Sequence, residues 1–345
     1  MSDGFKNESD YMEDGRLNST IYDVSRLSGV STATVSRAFS NPELVREGTR
    51  RKVYEAAEVL HYSPNAIAQA MARQRTDRIA FLICKEGATI LDEFYAGICD
   101  GIMNAANRTD YELMISTAAD WDLAANTSKN KQVEGVILGG NAKPELVSEL
   151  QNRGIAVVLV NNRMAGFDLP CVVSDEYGGG RQALEHLISR GHRNIAMLAG
   201  RFSPYILNER YRAFLEIAQA HGLPVDARHI KLCDPTVESA AEACRELLSR
   251  PDRPTAIFGT NDVVAAGAMK AARRLGLRLP EELAVTGLDD ASVCGMLEPE
   301  LTSVHIDCRR MGELSVERLQ SLLAGDENVP QVTVVPTELR VRRSA

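Results

Sequence analysis

The sequence predicts two architectures in one chain: an all-α helix-turn-helix headpiece, then a two-lobed α/β body built on parallel sheets. Three observations predict it. Short helical patterns punctuated by Gly and Pro fill residues 18–62. From about Arg78 the pattern changes to apolar strand runs alternating with amphipathic helices. The second zone, residues 77–345, is too long for one comfortable doubly wound sheet, which implies two lobes with a cleft between them. The expected organisation is a polar, disordered lead (1–17), the headpiece (18–62), a linker (63–76) and the body (77–345).

In the headpiece, Asn18-Ser19-Thr20 supplies N-cap candidates before IYDVSRLS, with Ile21, Val24 and Leu27 on one face. Gly29 suits a tight left-handed C-terminal turn. Ser31 then caps a second helix, STATVSRAFS. Two helices and a short turn within about 20 residues is the arrangement that places a helix in a DNA major groove. With Val35 and Ala38 packed inward, Thr32, Ala33, Ser36 and Arg37 face out. Arg37 suits a bidentate contact to guanine; Thr32 and Ala33 suit a thymine methyl. Tyr22, Thr34, Ser36, Thr49 and Arg50 are candidates for phosphate contacts, and the cap residues Thr20 and Ser31 complete the DNA-facing set. A third helix, 47–60, points Val53, Ala56, Ala57 and Leu60 at the others. On these residues alone, a small bundle used for docking or dimerisation remains open.

Charge supports the nucleic-acid reading locally. The whole chain carries −8, but residues 18–75 hold eight basic residues against five acidic, a net +3. A small cationic module on an acidic body binds phosphate where it is needed. Aromatics are only 5%, with one tryptophan, Trp121, too few for a single-strand stacking platform.

The linker opens Ser63-Pro64-Asn65 before AIAQAMARQ. Proline fits a first helical turn, but a lone helix of about ten residues is marginal in water. It is expected to fold only when two copies pack together on DNA.

In the body, strands are expected at 79–84, 112–117, 135–140, 156–161, 194–200, 255–260 and 283–290. Helices are expected at 94–106, 144–153, 178–190, 209–221, 239–249 and 262–275. Such sheets bind ligands at the carboxyl ends of their strands.

Enzyme chemistry finds no support. GGGRQA at 178–183 is neither GxGxxG nor a phosphate loop, and reads as a helix start. The six histidines show no metal-ligand spacing, and no GxSxG is present. No cofactor or metal is expected. The seven cysteines form no CxxC pair, which suits reduced thiols in a cytoplasmic protein. No apolar run spans a membrane and the first residues show no secretory signal, so an exported solute-binding protein is disfavoured.

From Thr20 to Thr76 the stretches TIYDVSRLSGVSTATVSR, NPELVREGTRRKV and LHYSPNAIAQAMARQRT, in that order and spacing, closely resemble the lac repressor (LacI/GalR) family. The resemblance continues to the C-terminus. It implies that residues 63–76 form a paired hinge helix, which wedges an apolar side chain into the minor groove. The wedge falls on Met71, where the family usually has leucine, and Asn65, Ala68 and Ala72 fall on neighbouring hinge contacts. It also implies a periplasmic-binding-protein-like effector domain. Phe94, Tyr95, Asn161, Arg210, Asn261 and Asp289 map to its ligand cleft, with Arg210 the leading effector contact. Other roles stay open: Asp262 as the cap of the following helix, Arg210 as a structural partner of Asp289, Asp289 as a turn residue, Tyr95 as lobe core. Ala213 stands where the family has glycine, and the polar segment around Trp121 departs from its pattern. The implied partners are a palindromic double-stranded operator, a small-molecule effector, most often a sugar and in some relatives a purine corepressor, and a second copy of the chain. The C-terminus has no leucine heptads, which favours a homodimer.

Overall fold

The computed structural model describes residues 19–63, 76–84, 93–117, 133–200, 204–224 and 227–345. The lead 1–17, the hinge positions Asn65, Ala68, Met71 and Ala72, and Trp121 with the segment 118–132 lie outside the described residues. The chain divides between Thr76 and Asp77 into two compact units.

In the first unit, α1 (Ile21–Ser28), α2 (Thr32–Ser40) and α3 (Glu47–Val59) enclose a small core. Val24, Val35, Ala38, Val45, Val53, Ala56 and Ala57 form it, with Ile21, Phe39, Leu60 and Tyr62 packed against it. The Asp23 carboxylate accepts the Thr20 backbone N–H at 3.0 Å and the Thr20 hydroxyl at 2.6 Å, fixing the start of α1. Gly29 takes φ 72° at the end of α1, and its N–H reaches the Ser25 carbonyl. Ser31 caps α2 by accepting the Thr34 N–H at 3.2 Å. One expectation changes: Leu27 is 53% exposed. The buried stripe of α1 runs through Ile21, Val24 and Ser28, and Leu27 lies roughly 80° round from its centre. Tyr54 ties α3 to α2 by donating its hydroxyl to the Ala38 carbonyl at 2.9 Å.

The second unit begins with β1 (Arg78–Cys84), α4 (Glu93–Ala106), β2 (Glu112–Thr117), β3 (Gly135–Gly140), α5 (Pro144–Asn152), β4 (Ala156–Val160) and β5 (Cys171–Ser174). It continues through α6 (Glu176–Ser189), β6 (Ile195–Gly200), α7 (Pro204–Ala220), β7 (Ile230–Cys233), α8 (Val237–Leu248), β8 (Ala256–Gly259), α9 (Asp262–Arg274) and β9 (Ala284–Asp289). It closes with α10 (Val293–Met296), β10 (Thr302–Ile306), α11 (Cys308–Leu323), β11 (Val332–Val335) and β12 (Thr337–Arg340). Two six-stranded sheets result, ordered β11-β5-β4-β3-β1-β2 and β12-β10-β9-β8-β6-β7. Every pairing is parallel except β10 with β12. The central strands are buried on both faces, which is why they read as unbroken apolar runs.

The chain passes between the lobes at Asp175, Asp307 and Pro336. Each aspartate caps the helix it enters: Asp175 accepts the Gly178 N–H and Asp307 the Arg310 N–H, both at 2.8 Å. In the first lobe α4 and α11 lie backbone against backbone. A Cβ on Gly101 would sit 2.0 Å from the Arg309 carbonyl oxygen, and one on Gly312 would sit 2.1 Å from that of Ile98. None of the seven cysteines forms a disulfide. Burial raises the Cys84 thiol to about 11 and the Cys244 thiol to about 12, which disfavours thiolate chemistry there.

Candidate functional site

On the headpiece, the capped start of α2 sets which side chains face out. Val35 and Ala38 are fully buried, Ala33 and Arg37 are exposed, and Thr32 and Ser36 are half-buried. The Arg37 guanidinium has no hydrogen bond or ion pair among the described residues. Around it, Tyr22 is 69% exposed. Thr34 shares a hydroxyl contact of 2.9 Å with Ser31. Arg50 donates to the Pro42 carbonyl at 3.2 Å, which fixes its side chain beside the end of α2. Thr49 is half-buried one position before it. This surface presents short polar groups and one unengaged guanidinium, the chemistry that reads a base pair and its flanking phosphates.

In the second unit the chain crosses between the lobes just after the carboxyl ends of β5, β10 and β11. In the first lobe, Asn161 directly follows β4 with φ 56°, a left-handed backbone that asparagine tolerates. It is 7% exposed, and its Oδ1 has no hydrogen-bond partner among the described residues. Asn162 beside it donates Nδ2 to the Gly140 carbonyl at 2.9 Å. Phe94 is half-buried near the start of α4. Tyr95, expected in the cleft, belongs to the core, with its ring edge-on to Phe94 at 5.5 Å. The two residues are 100° apart on the helix, so only one of them can face out.

From the second lobe, Arg210 of α7 is 3% exposed and is held by acidic groups. Its Nε lies 2.5 Å from Glu176 Oε2, its Nη1 donates to the Thr260 carbonyl, and its Nη2 lies 3.6 Å from Asp289 Oδ1. The second Glu176 oxygen accepts the Ser174 hydroxyl at 2.6 Å. Burial alone pulls the Arg210 pKa down; Glu176 and Asp289 more than offset that, and the net shift is upward. The pairing of Arg210 with Asp289 is therefore present, but Glu176, which sequence reading missed, is the nearer partner. The only local signal for it was an acidic pair, Asp175-Glu176, directly after a strand.

Asn261 and Asp262 differ from the expected roles. Asn261, read as a ligand contact, caps α9 by accepting the Val264 N–H at 2.9 Å. Asp262, read as the cap, is the first residue of the helix, and its carboxylate accepts the Ala291 N–H at 2.7 Å and the Ser303 hydroxyl. Asp289 has φ 118° where β9 ends, so it is strained backbone at the cleft.

The lobes also touch. Glu93 of α4 accepts the Ser292 N–H at 2.7 Å and its hydroxyl at 2.9 Å. Arg163 lies 5.8 Å over the ring of Tyr205, which packs against the first lobe's core. No group of side chains among the described residues is placed to hold a metal ion. No described helix is long and apolar enough to cross a membrane.

Burial pushes the Asp262 carboxyl up to about 6, against hydrogen bonds from Ser303 and Ala291 that lower it. Between the unfolded value, near 3.9, and about 6, the folded chain binds the extra proton. Stability therefore falls as pH rises through that window and stays lower above it. Asp262→Asn is expected to remove this slope and to raise stability at pH 7 by about 1–2 kcal/mol. Urea unfolding at pH 4.5, 6 and 7.5 checks it; a wild-type pH slope that survives in the variant contradicts the assignment.

A helix-turn-helix unit with an outward arginine, joined to a two-lobed body with polar side chains beside its strand ends, defines a ligand-sensing DNA-binding regulator. Comparison with known proteins agrees. Residues 20–65 match the family model for bacterial regulatory proteins of the lacI family, and residues 184–345 match the periplasmic binding protein-like domain. The chain is 32% identical over 334 residues to catabolite control protein A of Priestia megaterium, covering 95% of this chain and 99% of that protein. The structure of the transcriptional regulator CelR–cellobiose complex is 32% identical with a TM-score of 0.73, covering 95% of this chain and all of that one. A lac repressor dimer bound to operator and the anti-inducer ONPF is 25% identical with a TM-score of 0.82, covering 95% and 99%. The chain belongs to the lacI family of bacterial regulatory proteins, a family of DNA-binding transcription regulators.

Proposed function

We propose that this protein is a cytoplasmic, homodimeric repressor of carbohydrate-utilisation genes, released from a palindromic operator by a sugar bound between the lobes. The observation that supports the reading is that polar side chains stand beside the strand ends of both lobes. In one lobe Asn161 has a buried oxygen without a hydrogen-bond partner among the described residues, and in the other Asp289 pairs with Arg210. Such groups suit vicinal hydroxyls, and the half-buried Phe94 ring suits a sugar face. Relatives point the same way: CelR was solved with cellobiose, and the lac repressor was solved on its operator as a dimer. The effector acts by changing the angle between lobes, which couples it to pairing of the hinge segments. Selection of operator DNA from a random pool, followed by anisotropy titrations with a panel of sugars and purines, tests this. A sugar that weakens operator binding supports it; a purine that strengthens binding, with every sugar inert, overturns it.

Within this reading, Thr32, Ala33 and Arg37 contact bases, and Thr20, Tyr22, Ser31, Thr34, Ser36, Thr49 and Arg50 contact the backbone. Arg37→Ala is expected to weaken operator affinity by about 1–3 kcal/mol and to relax selection at one base pair per half-site. Unchanged affinity for the selected operator contradicts the role.

A further inference from the structure

We propose that two contacts at equivalent places in the two lobes, Glu93 with Ser292 and Arg163 with Tyr205, act together as a double latch that sets how often the lobes separate. Such a latch serves any effector, saccharide or not.

The two sheets follow one plan. Their orders, β11-β5-β4-β3-β1-β2 and β12-β10-β9-β8-β6-β7, put β4 and β9 in third place and β1 and β6 in fifth. Each contact joins these places crosswise. Glu93 is the first residue of α4, which follows β1, and Tyr205 is the second residue of α7, which follows β6. Ser292 lies three residues beyond the end of β9 at Asp289, and Arg163 lies three beyond the end of β4 at Val160. A helix start after the fifth strand of one lobe thus meets the loop after the third strand of the other, twice. The crossings between lobes follow β5, β10 and β11, all in the first two places of their sheets. Both contacts therefore stand on other strands than those that carry the crossings.

The loops that carry the latch are braced alike. Each leaves its strand through left-handed backbone: Asn161 at φ 56° in the first lobe, Asp289 at 118° and Asp290 at 59° in the second. Each is then tied down within its own lobe. Asn162 donates Nδ2 to the Gly140 carbonyl at 2.9 Å, and the Ala291 N–H reaches the Asp262 carboxylate at 2.7 Å. Arg163 and Ser292 are the next residues along. Only the chemistry across the gap differs. Glu93 accepts the Ser292 N–H at 2.7 Å and its hydroxyl at 2.9 Å, a two-point, charge-assisted contact. The Arg163 guanidinium stands 5.8 Å from the centre of the Tyr205 ring, within cation–π reach. All four residues are exposed or half-buried, so each contact is weak enough to break while the lobes stay folded. Separating two rigid lobes loses both contacts at once, so both bias one equilibrium. An effector that needs the lobes together binds in proportion to the fraction already latched.

Amide hydrogen exchange of the ligand-free, full-length protein tests this, because an amide held by the latch exchanges in proportion to the separated population. The Ser292 amide is the reporter. Ala284, whose N–H is bonded to the Thr255 carbonyl at 3.0 Å within the second lobe, reports unfolding of that lobe. The perturbation is made at the other contact. Tyr205→Leu and Arg163→Met keep apolar bulk and are each expected to speed Ser292 exchange roughly threefold, with Ala284 unchanged. Tyr205→Phe keeps the ring and is expected to keep the wild-type rate. Unchanged Ser292 exchange in either Tyr205→Leu or Arg163→Met overturns the proposal, since the two contacts are then independent. An equal rise at Ser292 and Ala284 overturns it too, because the contact then serves the fold of the lobe. A wild type whose Ser292 exchanges as fast as an unbonded amide overturns it with no variant needed.

Discussion

Arg210→Ala is expected to cost about 3–5 kcal/mol of folding stability at neutral pH and to abolish the response to effector. The cost does not measure the strength of one ion pair. It arises because the change removes a cation that faces two carboxylates, one of them fully buried. A buried pair need not stabilise a fold relative to well-packed apolar residues, but breaking one leaves a desolvated charge uncompensated. The Thr260 carbonyl loses its donor in the same step. Arg210→Lys is expected to recover part of the stability, since it restores the charge. It does not restore the planar fork that reaches Glu176 and Asp289 together, so effector response stays impaired. Operator binding by the headpiece is expected to persist at temperatures where the body remains folded, because the described headpiece core is built from residues 21–62. Chemical unfolding together with operator titrations separates the two effects. Wild-type stability in Arg210→Ala contradicts the account of the cluster.

The headpiece was legible almost residue by residue, because its determinants are local. Thr20, Gly29 and Ser31 are caps and turns whose chemistry acts within four positions. Leu27 was misread because α1 is only eight residues long, and a 3.6-residue period leaves its stripe ambiguous there. In the body, the strands buried on both faces announced themselves as apolar runs. Five others did not: Cys171–Ser174, Ile230–Cys233, Thr302–Ile306, Val332–Val335 and Thr337–Arg340. They are four or five residues each, and β11 and β12 alternate in exposure, so they carry too little apolar signal to stand out. Helix α11 was missing from the expected helices, although Met311, Leu314, Leu319 and Leu322 follow a helical period behind the cap Asp307. The crossings between lobes left no local trace at all.

The cleft divides along the same line. Arg210 and Asp289 were singled out by the family resemblance, but Glu176 was not. Its role exists only because β5 hands the chain to α6 beside α7, a tertiary fact. Asn261 and Asp262 show how small the margin is: a one-residue shift in where α9 begins exchanged the cap and the buried carboxylate.

Gly101→Ala is where local propensity and packing predict opposite signs. Gly101 lies inside α4, where alanine is intrinsically favoured by about 1 kcal/mol. The alanine Cβ would stand 2.0 Å from the Arg309 carbonyl oxygen and 2.8 Å from its carbon, both backbone atoms that no rotamer change moves. Relief requires α4 and α11 to separate, which opens the core around Ile98, Ile102, Met311 and Leu314. A net loss of about 3 kcal/mol is expected, a fall in Tm of about 6–12 °C. Gly48→Ala in α3 supplies the contrast. Its Cβ meets nothing within 4 Å, so propensity acts alone and stability should rise by about 0.5–1 kcal/mol. The damage at Gly101 is also expected to reach the cleft. Helix α4 carries Glu93, which holds Ser292 of the opposite lobe, and α11 starts at the crossing marked by Asp307. Displacing either helix moves the contact between lobes as well as the core. Gly101→Ala should therefore show weakened effector binding even at temperatures where it remains folded. A variant that loses stability but keeps full effector affinity would show that the α4–α11 contact serves packing alone.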